Sequence, residues 1–184
     1  MSFNNGGYLE TDDALRMLDL LSQASGSDFY MSLESKGKKV AGEIQTLFSD
    51  NMEVLEIGGY SYVAEVASAP GSGKGVARGL PLAVVRDCDA ATASIASLLY
   101  SQDSDLIVNI LVFKAGGDNA DRQPFFEIEL TGGRVSQHAI LTGGMPKRPC
   151  EIIVFSYRAV EIKSAPQLVS GIRGAVRSAK LVNN

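Results

Sequence analysis

The spacing of apolar residues changes several times along this chain, and each change marks an element. Between residues 11 and 25, Ala14, Met17, Leu18, Leu21 and Ala24 fall on one helical face. Thr11 is placed to cap that helix, Asp12 and Asp13 suit the positive end of its dipole, and Gly26 stands where a terminating glycine belongs. From Phe29 the period drops to two, with Phe29, Met31 and Leu33 alternating inward through Glu34. Strands are expected over Ala41–Phe48, Met52–Glu56, Tyr60–Val66 and Leu80–Arg86. Asp89 opens a second helix to about Tyr100, with Ala91, Ile95, Leu98 and Leu99 on its inner side. Leu106–Phe113 is apolar on both faces, as a fully buried strand is.

The stretch from Pro124 to Lys163 is the most regular. Phe126, Ile128 and Leu130 alternate with Phe125, Glu127 and Glu129, and Thr131-Gly132-Gly133 reads as a turn. Val135, Gln137, Ala139 and Leu141 share one face of the following strand, which places His138 on the opposite, polar face. After Gly143-Gly144-Met145-Pro146 comes a third strand from Glu151 to Lys163, rich in β-branched and aromatic residues. The tail carries Ile172, Val176 and Ala179 at helical spacing, but Gly171 and Gly174 each weaken a helix by roughly 1 kcal/mol, so a terminal strand is expected.

Composition narrows the class. With 184 residues, 45% hydrophobic and 21% charged, the chain fits one soluble domain with a substantial core. The net charge of −4 argues against a general nucleic-acid binder. Its distribution is uneven: residues 1–65 hold 11 acidic and 4 basic side chains, residues 66–184 hold 10 and 13. Such polarity suits head-to-tail association. No signal peptide and no apolar run of membrane length is visible, so synthesis in the cytoplasm is expected. Cys88 and Cys150 lack metal or redox spacing and are expected to be reduced.

Candidate chemistry is sparse. The segment Ala67–Gly79 (ASAPGSGKGVARG) resembles a phosphate loop, but Ser68 and Gly75 stand where a Walker motif ending at Gly73-Lys74 needs Gly and Ser or Thr. His138 is the sole histidine and reads as a solvated or interface side chain. Glu127 and Glu129 are the one carboxylate pair with the spacing of a small hydrolase, about 7 Å along a strand. No catalytic, cofactor-binding or metal residue is assigned from the sequence.

Three features resemble the Hcp family, the haemolysin-coregulated tube proteins of type VI secretion. They are the aromatic-acidic strand FFEIEL, the strand GGRVSQHAILTGG running into a glycine loop, and the proline-led strand RPCEIIVFSYRAVEIK. Upstream, Phe29–Glu34 and the basic-glycine approach Gly37–Glu43 are similar to the family's opening, and Tyr60 and Tyr62 stand where its members show tryptophans.

The resemblance implies a mainly β (α+β) fold, a closed antiparallel β-barrel with one flanking helix, occupying residues 28–184. Residues 1–27, with their amphipathic helix, form an extension that the family usually lacks. It implies a non-enzymatic subunit of hexameric rings stacked into a tube, with sheath, baseplate, spike and effectors as partners. It implies export through the contractile machine without a signal peptide. Ser68, Pro70, Lys74 and Arg78 are the expected ring-stacking residues, and Met17, Leu18 and Leu21 the expected helix interface. A tube protein of a phage tail or an extracellular contractile injection system is the alternative with the same architecture.

Overall fold

The structure is a computed structural model and describes residues 9–20, 27–42, 53–67, 75–114, 123–143, 147–166 and 174–183. Helix α1 (Thr11–Leu20) begins with the Ala14 N–H donating to Glu10 O (3.0 Å), so Thr11 lies inside the first turn rather than capping it. Two strands follow, β1 (Ser27–Ser35) and the short β2 (Lys38–Lys39), joined through Lys36 and Gly37, both at positive φ. Then come β3 (Leu55–Glu56), β4 (Gly59–Ser61), β5 (Ala64–Ala67), β6 (Val76–Gly79) and β7 (Leu82–Asp87). Helix α2 (Thr92–Ser101) precedes β8 (Leu106–Lys114), β9 (Phe126–Gly143), β10 (Arg148–Ser156), β11 (Ala159–Ser164) and β12 (Arg177–Val182).

Of the expected strand Ala41–Phe48, residues 43–48 lie outside the described set, while Ala41 and Gly42 are not in a strand. The expected strand Tyr60–Val66 is divided between β4 and β5, because the chain leaves the sheet at Tyr62 and Val63. The expected terminal strand is present as β12, which pairs with β11, Leu181 opposite Val160 and Ala179 opposite Ile162, while residues 167–173 lie outside the described set.

All ladders are antiparallel, and β9 is the strand that joins the two halves of the main sheet. Its first half pairs with β8 on one edge and β11 on the other, and its second half pairs with β10. One group of strands runs β2–β1–β8–β9–β11–β12, and the other runs β9–β10–β7–β4. Both groups send apolar side chains into one core. Met31, Leu33, Val108, Ile128, Leu130 and Val160 come from the first, and Leu82, Val84, Ile153 and Phe155 from the second. Helix α2 adds Ala91, Ile95 and Leu98 to the same cluster. Burying each large side chain of this kind contributes roughly 1.5–3 kcal/mol.

The expected closed barrel does not form. Among the described residues no ladder joins the β4 or the β12 edge to a further strand of the main sheet. Chain crossing substitutes for a ladder between β1 and β7, where the Ile57 N–H donates to Phe29 O (3.1 Å) and the Gly58 N–H to Val85 O (2.8 Å). Closure fails for a physical reason: β4 is only three residues long, and the chain beyond it builds a separate two-stranded sheet, β5 with β6.

Two further expectations fail inside β9. Thr131-Gly132-Gly133 is not a turn; the strand continues through it with a register shift against β8 and Gly132 at φ +59°. A second shift lies at Ser136, since Val135 sits opposite Phe155 while Gln137 sits opposite Val154. Each bulge inserts one residue and reverses the facing of the residues beyond it. Ser136 compensates for its lost pairing by donating its hydroxyl to Val154 O (3.0 Å). Val135 therefore points into the core with Phe155, whereas Leu141 packs in a second cluster on the other face, with Ile152 and Val154.

Candidate functional site

The hairpin β5–β6 stands apart from the main sheet. Arg78, one of the expected stacking residues, lies on β6 and is exposed, and its guanidinium pairs with Glu65 on β5 (Nε–Oε1 2.6 Å). Ser68, Pro70 and Lys74 lie outside the described residues. What was expected to be a plain loop from Ala67 to Gly79 has strand-paired legs: Val66 sits opposite Ala77, and Ala67 opposite Val76. Val66 and Val76 are 63% and 67% exposed, so two β-branched residues on adjacent register positions face away from any core. A pair of strands of this kind is marginal by itself in water.

The base of the hairpin, by contrast, is well tied. The Leu80 N–H donates to Val63 O (2.8 Å), and the Tyr157 hydroxyl donates to Leu80 O (2.9 Å). Asn183 holds both backbone groups of Gly79: the Gly79 N–H donates to Asn183 Oδ1 (2.8 Å), and Asn183 Nδ2 donates to Gly79 O (3.2 Å). Burial, with Tyr62 close by, pushes the Tyr157 phenol well above its usual range, which keeps it a neutral donor.

Helix α1 lies on the second group of strands, on the face turned away from the main core. Met17 is fully buried there among Leu9, Ala83, Val85, Ile152 and Val154, with Ala14 and Leu141 alongside. The Leu9 N–H donates to Gln137 Oε1 (3.0 Å), which fixes the start of the segment on β9. The side chain of Leu18, and Leu21 altogether, fall outside the described set.

His138 is not the solvated side chain the alternation predicts. The bulge at Ser136 rotates it to the inner face, opposite Ile153, where its side chain is 5% exposed. There its Nε2 meets Glu151 Oε2 at 2.6 Å. Glu151, fully buried, also receives Arg86 Nη1 (2.6 Å) and the Thr92 hydroxyl (3.2 Å) on Oε1. The same arginine pairs with Asp89 (Nη2–Oδ2 2.6 Å) and donates from Nε to Glu56 O (3.3 Å). Asp89 in turn accepts the Ala91 N–H (2.8 Å), and its own N–H donates to the Thr92 hydroxyl (3.1 Å). It thus ties down the turn before α2 rather than capping the helix at its first residue. This network knots β7, β9, β10 and the entry to α2 together.

The remaining sequence candidates are plain. Lys163 sits opposite Glu127 in register and donates to Glu129 Oε2 (2.9 Å), so the carboxylate pair faces a cation. The Glu129 hydrogen bond pushes the Lys163 ammonium up from its usual pKa. Cys88 and Cys150 are free thiols, both pushed up, chiefly by burial. Among the described residues no group of three or more His, Cys, Asp or Glu is placed to hold a metal ion, and no helix is long and apolar enough to cross a membrane. Sequence reasoning missed Arg86, Glu151 and Asn183. Only the β7–β10 register brings Arg86 opposite Glu151, and nothing local to Asn183 points toward Gly79.

An open antiparallel β fold of two strand groups around one core, with a flanking helix and a projecting hairpin, defines the structural class. No family model and no curated protein sequence matches the chain. Solved structures do. A structure described as a type six secretion system protein has TM-score 0.67 at 24% identity, covering 84% of this chain and 94% of its own. A variant of the Hcp1 protein from E. coli EAEC 042 has TM-score 0.63 at 13% identity, over 83% and 97%. The secreted protein Hcp3 from Pseudomonas aeruginosa has TM-score 0.58 at 16% identity, over 86% and 99%. The fold is therefore the Hcp fold.

Proposed function

We propose that the chain is a structural subunit of a type VI secretion tube, made in the cytoplasm, assembled into hexameric rings and exported through the contractile machine. The observation that carries this reading is mutual coverage: the likeness to Hcp structures spans over four-fifths of this chain and nearly all of theirs. Fold alone does not fix function. The described chemistry agrees with a scaffold, because the buried ionic groups satisfy one another and the Glu127/Glu129 pair is spent on Lys163.

In this reading the two strand groups of the main sheet close the ring laterally, and the β5–β6 arm, with the sequence-expected Ser68, Pro70, Lys74 and Arg78, meets the next ring. Helix α1, an addition to the family pattern, covers one strand group of its own subunit through Met17, and Leu18 and Leu21 remain its sequence-expected interface residues. Its partners in this reading are the sheath, baseplate and spike components, with effectors carried in the lumen of the tube.

Electron microscopy of the purified protein tests this directly: rings with a central channel are expected, with a light-scattering mass near six times 19.5 kDa. Replacing residues 68–74 by a short Gly-Ser turn should spare folding and rings but stop tube growth. A strict monomer across the micromolar range would sink the reading.

A further inference from the structure

The joint at the foot of the β5–β6 arm is built from three distant parts of the chain. Gly79 ends β6, Tyr157 lies in the corner between β10 and β11, and Asn183 follows β12. Asn183 is itself anchored, its backbone N–H donating to Arg158 O at 2.8 Å. From that fixed point its side-chain amide takes the N–H and the C=O of Gly79 together, as a neighbouring strand would take a ladder residue. A side chain thus supplies the pairing that the unclosed edge lacks. A Cβ at Gly79 would collide with the Tyr157 hydroxyl oxygen, so a larger residue would displace the tyrosine from the joint. The ring contact of Tyr157 with Tyr62 (centroids 6.5 Å apart) closes the joint on the β5 side.

Beyond Val63 and Gly79 the described residues of the arm have little other support. Ala64, Glu65, Val66 and residues 75–78 are all exposed. Its direction is therefore set at the base. Strand β12 is almost as bare: residues 177–180 and Val182 are exposed, and it pairs with β11.

We propose that Asn183 is a positioning residue that fixes the direction of the β5–β6 arm and couples it to the C-terminal strand. This deepens the tube reading and rests on it for its consequence, that arm and β12 act as one unit in ring stacking. The coupling itself is a property of the isolated chain. A binder that draws β12 away releases the arm.

Hydrogen exchange on the full chain tests it, with Asn183→Ala and Asn183→Asp compared against the parent. Loss of two part-buried hydrogen bonds should speed exchange at the Gly79 amide roughly tenfold in Asn183→Ala. Exchange within the β11–β12 ladder, at Ala179 and Leu181, should rise by less than at Gly79, because the coupling is reciprocal but β12 keeps its pairing with β11. Asn183→Asp keeps an acceptor for the Gly79 N–H but no donor for its carbonyl, so its effect should fall between. Tube growth should decline in the same order while rings persist.

Unchanged exchange at Gly79 in Asn183→Ala overturns the proposal. Equal acceleration throughout β12 overturns it too, since Asn183 would then serve the strand rather than the arm. If Gly79 is loosened as expected and the arm replacement leaves tube growth intact, the coupling stands and the stacking role of the arm falls.

Discussion

At the scale of single residues, the Arg86–Glu151 pair bears the sharpest energetic consequence. Both side chains are at most 2% exposed, so each charge has exchanged its water for protein partners. Attraction and desolvation nearly cancel for such a pair, but removing one partner strands the other, at a cost of about 3–5 kcal/mol. Glu151→Ala should therefore lower unfolding free energy in urea denaturation by at most about 3–5 kcal/mol, because Arg86 keeps Asp89 and the Glu56 carbonyl. The double change Arg86→Met with Glu151→Leu should recover most of the loss. Equal losses in single and double variants would mean that the network matters for shape and not for charge pairing.

At the scale of elements, the seat of α1 is the contact to weigh. Met17 is its one fully buried apolar side chain among the described residues, and it covers Ala83, Val85, Ile152 and Val154. Met17→Ala should destabilise the protein by about 2–5 kcal/mol, less where the seat can collapse. A chemical-denaturation shift below about 0.5 kcal/mol, the ordinary size of a surface change, would show that the helix does not hold its place in solution. The seat of Met17 was legible because helical spacing depends only on neighbours along the chain. The facing of β9 was not legible: two inserted residues, near Gly132 and at Ser136, each reverse the alternation, and the pairing partner alone reveals them. Reading straight through Ser136 places His138 in solvent, whereas the strand buries it against Glu151. The arm was legible as polar and glycine-rich but not as paired, since Val66 and Val76 look like parts of longer strands or loops until register aligns their neighbours.

At the scale of the molecule, the unclosed sheet and the division of charge belong together. An antiparallel edge left bare invites pairing by another copy, and exposed charges on it select which copy and which orientation. Arg177 and Lys180 stand exposed on β12, while Glu53 and Glu56 stand exposed beside the β1 edge, in the acidic first third. Rings built from identical subunits join unlike patches around a closed cycle, so a basic patch meeting an acidic one is the complementary arrangement. Screening length falls from about 10 Å at 0.1 M salt to about 3 Å at 1 M, so association driven this way should weaken as salt rises. Changing Arg177 and Lys180 to glutamine should weaken association at low salt and flatten its salt dependence, measured by sedimentation across the micromolar range. Lys180 also faces Glu161 across the β11–β12 ladder, so the fold of each variant must be checked by its melting temperature. Association that strengthens with salt, in the parent and the variant alike, would place the driving force on apolar surface such as Val176 and Val182 instead.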